Sequence, residues 1–238
     1  MLPYLAVIAI CLGGWPVAAQ PPAGGRWQVV LAAGDDEQPV FDNAVRYAER
    51  FLTQRGVPAG NIHRLSAAPR GPGVEAATVS RLTRRIAGLP VEPGDRCLVF
   101  ITSHGAEGKG VYLAHDDEIL APAVLARALA GNCAAAPTVV IVSACYSGSF
   151  AAPPVAAPNR IVLTAARADR PSFGCQADRV YTVFDECLLG VLPRVGSWPA
   201  AFHGTDACVR GRERSLGVLP SLPQAAFGAA TRRLFLWF

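Results

Sequence analysis

Two short stretches each run a hydrophobic segment into a reactive side chain. Residues 96–105, Arg-Cys-Leu-Val-Phe-Ile-Thr-Ser-His-Gly, end in His104 and Gly105, and residues 138–148, Thr-Val-Val-Ile-Val-Ser-Ala-Cys-Tyr-Ser-Gly, deliver Cys145. A thiol is a strong nucleophile only as a thiolate, so it needs a base within reach, and imidazole suits that task near neutral pH. The same imidazole can later protonate a leaving amine. Gly105 would bring a backbone N–H close to a reacting carbonyl, where it and the Cys145 N–H can hold an oxyanion. Taken singly, each residue has a plainer explanation. A strand-end Cys is often a small buried hydrophobe, and a lone His is often a hydrogen-bonded structural residue. Two such strand ends, each followed by a glycine turn, favour chemistry. His63, His115 and His203 lack that setting.

The elements that must position this pair alternate between strand and helix, which implies an α/β domain with a mostly parallel sheet. In such sheets ligands bind outside the carboxyl ends of the strands. Strands are expected at 27–33, 61–65 and 160–165, with a small one at 111–114, and the stretches 96–105 and 138–148 each contain a strand that leads into His104 or Cys145. Helices are expected at 41–52, where Phe41, Ala44, Val45, Ala48, Phe51 and Leu52 share a face, and at 78–89, 122–130, 180–192 and 199–210. Residues 66–74, 105–110 and 151–158 read as loops, and no internal repeat is visible.

With 238 residues, 51% of them hydrophobic and 17% charged, the chain suits a single domain. Residues 2–13 form an uncharged apolar run, followed by Val17-Ala18-Ala19-Gln20, which fits a signal peptide cleaved after Ala19. Residues 20–26 then form a leader, and residues 27–238 one domain with a C-terminal extension from about 197. Export to a periplasmic or extracellular space follows, with no stable membrane insertion after cleavage. The net charge of +4 is spread over scattered arginines, with Lys109 the only lysine. No basic stripe with interleaved aromatics points to nucleic acid. The cysteine content fits an oxidising compartment. Once Cys11 and the nucleophile are set aside, two disulfides among Cys97, Cys133, Cys175, Cys187 and Cys208 leave one thiol over. No C-x-x-C spacing suggests zinc, and the chemistry needs no metal or cofactor.

A third segment narrows the field. Thr-Ser-His-Gly, Ser-Ala-Cys-Tyr-Ser-Gly and residues 163–175, Leu-Thr-Ala-Ala-Arg-Ala-Asp-Arg-Pro-Ser-Phe-Gly-Cys, together resemble peptidase family C13, the legumain-like asparaginyl endopeptidases and the catalytic subunit of the GPI-anchor transamidase. The similarity runs from about Val29 to about Leu192 and is greatest to compact bacterial members. The resemblance implies a caspase-like three-layer sandwich, a mostly parallel central sheet flanked by helices. His104 and Cys145 match the family's catalytic dyad. The family's third catalytic group, an Asn in the loop after the first strand, falls at Asp36 when Asp42 is aligned with the family's helix-start Asp. There Asp36 would orient the His104 ring, although a solvated loop or a helix cap explains Asp35-Asp36 equally well.

The specificity pocket departs from the family. Legumain-like enzymes hold an Asn side chain with an Arg, an acid two residues before the Cys, and a later Asp. In this sequence Gln38, Ser143 and Asp185 take those positions, and Ser172 matches a further pocket-lining residue. A lone carboxylate at Asp185 would suit a side-chain amide or a basic residue before the scissile bond. Ser172 fits equally well as part of a turn before Phe173-Gly174. The expected function is an exported cysteine endopeptidase acting on peptides or proteins. The alternatives are a transpeptidase of the same family, in which an amine replaces water, and an inactive binding or scaffold protein with the same fold.

Overall fold

Alternation within the strands decides the layers. The computed structural model describes residues 25–176, 178–231 and 234, so the expected signal segment, the leader before residue 25 and the apolar end at 235–238 lie outside the described residues. The strands are β1 (Trp27–Ala33), β2 (Ile62–Ser66), β3 (Val74–Ala76), β4 (Arg96–Thr102), β5 (Gly105–Ala106), β6 (Gly110–Leu113), β7 (Glu118–Leu120), β8 (Thr138–Ser143), β9 (Arg160–Thr164) and β10 (Gln224–Phe227). The helices are α1 (Val40–Gln54), α2 (Val79–Ala87), α3 (Pro122–Leu129), α4 (Val183–Val191) and α5 (Trp198–Leu216). Seven strands form one sheet in the order β10-β9-β8-β4-β1-β2-β3, parallel throughout except for β10 at the edge.

Successive residues of a strand face opposite sides, and both sides of this sheet are dry. Val29, Leu31, Leu98, Phe100, Val139, Ile141 and Leu163 pack with Phe41, Leu52, Leu188 and Trp198 of α1, α4 and α5. Val30, Ala32, Val99, Ile101, Val140, Val142 and Val162 pack with Leu82, Ile86, Leu125 and Leu129 of α2 and α3. Burial on both faces explains why these strands read as continuous apolar runs. The result is the expected α/β three-layer sandwich with caspase-like organisation. Two disulfides brace it. Cys97–Cys133 ties β4 to the segment after α3, and Cys187–Cys208 ties α4 to α5, leaving Cys145 and Cys175 as the free thiols among the described residues.

Three elements differ from expectation. Residues 74–76 add β3 to the sheet edge, β7 pairs with β6 in a small antiparallel sheet with β5, and β10 closes the far edge. Each has only three or four residues, too few to show a local period, and β10 in addition pairs with a segment some sixty residues earlier. Helix α5 also runs to Leu216, past the expected stop at 210, and ends where Gly217 adopts a left-handed conformation at φ 66°.

Candidate active site

Neighbouring strands in register bring the two reactive side chains to one end of the sheet. Thr102 of β4 pairs with Ser143 of β8, so His104 and Cys145, each two residues further on, leave adjacent strand ends at the same level. A hairpin fixes His104. Its carbonyl accepts the Tyr112 N–H at 3.0 Å, and the neighbouring Ser103 hydroxyl donates to the Tyr112 carbonyl at 2.6 Å. The edge of the Phe41 ring meets the imidazole at a centroid distance of 5.2 Å and an angle of 77°. Gly105 then packs directly on the backbone of Cys145, where any Cβ would overlap the Cys145 carbonyl. That contact sets the peptide groups of the two residues side by side.

The chain turns sharply after Cys145. Tyr146 adopts φ 57°, the left-handed region that non-glycine residues seldom enter, and its N–H donates to the Arg170 carbonyl at 2.8 Å. Such strain persists only where surrounding contacts over-determine it. Residues 166–175 supply those contacts. Ser147 donates to the Ala144 carbonyl at 2.7 Å and accepts the Ala166 N–H at 3.3 Å. Gly148 lies so near Ala168 that a Cβ would stand 2.5 Å from the Ala168 nitrogen. The Ser172 N–H donates to the Cys145 sulfur at 3.3 Å, while its carbonyl at 3.4 Å can accept from the thiol. The segment around residues 163–175 therefore cradles Cys145, which gives a physical reason for the third sequence motif.

Asp36 does not stand beside His104. Asp35 and Glu37 do: one ligand atom of each and one ring nitrogen of His104 all lie within 4.8 Å of one another. The Asp35 carboxylate accepts the Glu37 N–H at 2.8 Å, which turns these two side chains to the same side of the loop. Asp36 and Gln38 instead line a cleft whose walls include none of Asp35, Glu37 and His104. Asp35 is 5% exposed, whereas Asp36 is open to solvent. The trio Asp35, Glu37 and His104 also has donors suited to a divalent cation.

The expected pocket residues separate as well. Of the four, only Ser172 touches Cys145. Gln38 lines the separate cleft. Ser143 and Asp185 are buried beneath the strand ends, with Asp185 at 0% exposure, so its carboxyl does not reach a surface that substrate can touch. Its Oδ2 accepts the Thr102 hydroxyl at 2.7 Å, and its N–H donates to the Thr182 hydroxyl, the cap of α4. Oδ1 has no hydrogen-bond partner among the described residues. Burial pushes the Asp185 carboxyl up to about 6, against the opposing pull of the Thr102, Ser143 and Thr182 hydroxyls. Asp185 thus joins residues two positions upstream of both His104 and Cys145.

Sequence reasoning passed over Asp35 and Glu37 as site residues. A two-residue alternation continued past β1 would have separated them from Asp36 and Gln38. No curated protein matches the chain in a sequence comparison. The model of the peptidase C13 family matches residues 84–191, the stretch that carries His104, Gly105, Cys145, Ser172 and Asp185, so over this stretch the chain is similar to the peptidase C13 family.

Proposed function

We propose that this chain is a C13-type, exported cysteine endopeptidase whose nucleophile is Cys145 and whose base is His104. The observation that carries the proposal is the paired register of β4 and β8, which sets both side chains at the carboxyl ends of neighbouring strands beside the Gly105–Cys145 contact. His104 takes the thiol proton, and Asp35 and Glu37 favour the imidazolium that results. The thiolate attacks the scissile carbonyl, and the Gly105 and Cys145 amides hold the oxyanion. His104 returns the proton to the leaving amine, and water hydrolyses the thioester. No cofactor enters this sequence. Two disulfides among the described residues support an oxidising destination, and no helix of the described residues is long and apolar enough to cross a membrane.

Turnover of peptides with Asn, Asp, Arg or Lys before the scissile bond tests the proposal. Cleavage that disappears in both Cys145→Ala and His104→Ala, with the circular dichroism spectrum retained, is the expected result. A purified protein that neither cleaves any peptide nor is alkylated at Cys145 would end the proposal.

A further inference from the structure

A polar cleft of about 260 Å³ opens at the carboxyl ends of β1 and β2, and its lining shares no residue with the Asp35, Glu37 and His104 trio. Asp36 and Gln38 line it from that loop, Asp42 and Arg46 from the first turns of α1, and Arg70 from the loop after β2. Sheet order fixes its relation to the reaction. Cys145 follows β8, His104 follows β4, and β1 and β2 come next in line beyond His104. The leaving amine must face the group that protonates it, so the chain that departs passes to the His104 side of the nucleophile. Strands stand about 4.8 Å apart and an extended chain rises about 3.3 Å per residue. The ends of β1 and β2, which frame the cleft, are therefore reached about two to four residues past the scissile bond.

We propose that this cleft binds the part of the substrate that follows the scissile bond and accepts polar or charged side chains there in preference to apolar ones. The inference rests on the peptidase reading above. Only Pro39 and Ala68 among the lining residues are apolar. Arg46 is held by Asp42 at 2.7 Å in an i,i+4 pair. Asp36 and Arg70 have no ion-pair partner among the described residues, and both are exposed. One unpaired carboxylate and one unpaired guanidinium, on different loops, suit a basic and an acidic side chain respectively. A large apolar side chain would desolvate both without pairing either.

Two measurements test the cleft. In the first, peptides identical up to the scissile bond carry Glu, Lys or Leu at the second and third positions after it. The Glu and Lys peptides should exceed the Leu peptide in kcat/KM by about fivefold, the effect of one well-placed exposed ion pair. Arg70→Glu should remove the advantage of Glu and keep that of Lys, and Asp36→Asn should do the reverse. In the second, fluorophore-labelled peptides that represent the departing chain are titrated onto Cys145→Ala, where the same ranking should appear in Kd. Equal or better use of Leu, or rankings untouched by both cleft variants, overturns the proposal. Binding that follows the cleft variants, without cleavage by any chain, supports the cleft and sinks the peptidase reading instead.

Discussion

Gly105 lies so close to Cys145 that a Cβ at position 105 would overlap the Cys145 carbonyl oxygen. The two residues come from different strands, and their contact joins the end of β4 to the start of the nucleophile turn. A glycine is needed here for lack of space and not for an unusual φ, because Gly105 is absent from the positive-φ positions. Gly105→Ala must therefore move one backbone against the other and misalign the proposed oxyanion donors. We expect kcat to fall by about 10²- to 10³-fold, the loss seen when one such donor is removed. Secondary structure should survive, because the change sits at the rim of the sheet. Measurement of kcat beside the far-ultraviolet spectrum checks both halves.

Asp35 and Glu37 flank His104 together, so neither alone should be indispensable. Asp35→Asn or Glu37→Gln should lower kcat about tenfold, and the double variant by a further factor of about ten or more, with KM little changed. Asp35 is the more buried of the two and also fixes the loop through the Glu37 N–H, so its loss should be the larger. Asp36→Asn, by contrast, should leave kcat for a peptide ending at the residue after the scissile bond unchanged. A loss of kcat there like that of Asp35→Asn would return the orienting role to Asp36.

The parts of this molecule that were legible in the sequence are those with a local signature. Trp27–Ala33 and Thr138–Ser143 are apolar runs bounded by turn residues, and both strands lie where the pattern puts them. The His104 and Cys145 strand ends were legible for the same reason. What escaped notice depends on contacts between distant segments. β10 is recognisable only through its pairing with β9, some sixty residues earlier in the chain. Alignment assigned Asp36 and Gln38 to the site, but the direction of a side chain in a loop is set by turns such as Asp35 to Glu37. Asp185 was expected to face substrate. Its N-terminal placement in α4, under the Thr182 cap, instead turns it toward Thr102 beneath the site.

Asp185 should write its burial into the pH dependence of stability. Its folded-state value is raised, from an ordinary 3.8 to about 6. The folded chain therefore holds a proton that the unfolded chain has already released between those values. Stability must fall as pH rises from about 4 to 6, and the full cost of burying the charge is present above that window. The shift corresponds to at most about 3 kcal/mol. Asp185→Asn keeps an oxygen for the Thr102 hydroxyl and cannot ionise. Urea melts at pH 4 and pH 7 should show the variant losing most of this slope and gaining stability at pH 7. An unchanged slope would mean that Asp185 is not the group responsible.

The four described cysteines in disulfides and the two free ones yield a test of both export and site. The proposed cleavage after Ala19 would remove Cys11, so a cleaved chain should present two thiols on denaturation without reductant, and an uncleaved chain should present a third from Cys11. In the folded protein these two thiols are not equivalent. Burial pushes the Cys175 thiol up, and the nearby charges of Cys145, Asp35 and Glu37 push it further, so it stays protonated and slow to alkylate at neutral pH. Iodoacetamide at pH 7 should label Cys145 first, with loss of activity tracking that label, and reach Cys175 only at higher pH or after unfolding. The disulfides bear on the same experiment through stability. Cys97–Cys133 closes a separation of 36 residues and Cys187–Cys208 one of 21, so loss of either should cost about 3 to 4 kcal/mol by loop entropy. Loss of the second loosens α4, which carries Asp185 beneath both strand ends. Cys187→Ala/Cys208→Ala should therefore lower activity as well as the melting temperature, whereas Cys97→Ala/Cys133→Ala should act on stability with less effect on kcat. Equal losses of kcat in the two variants would show that α4 does not carry the effect.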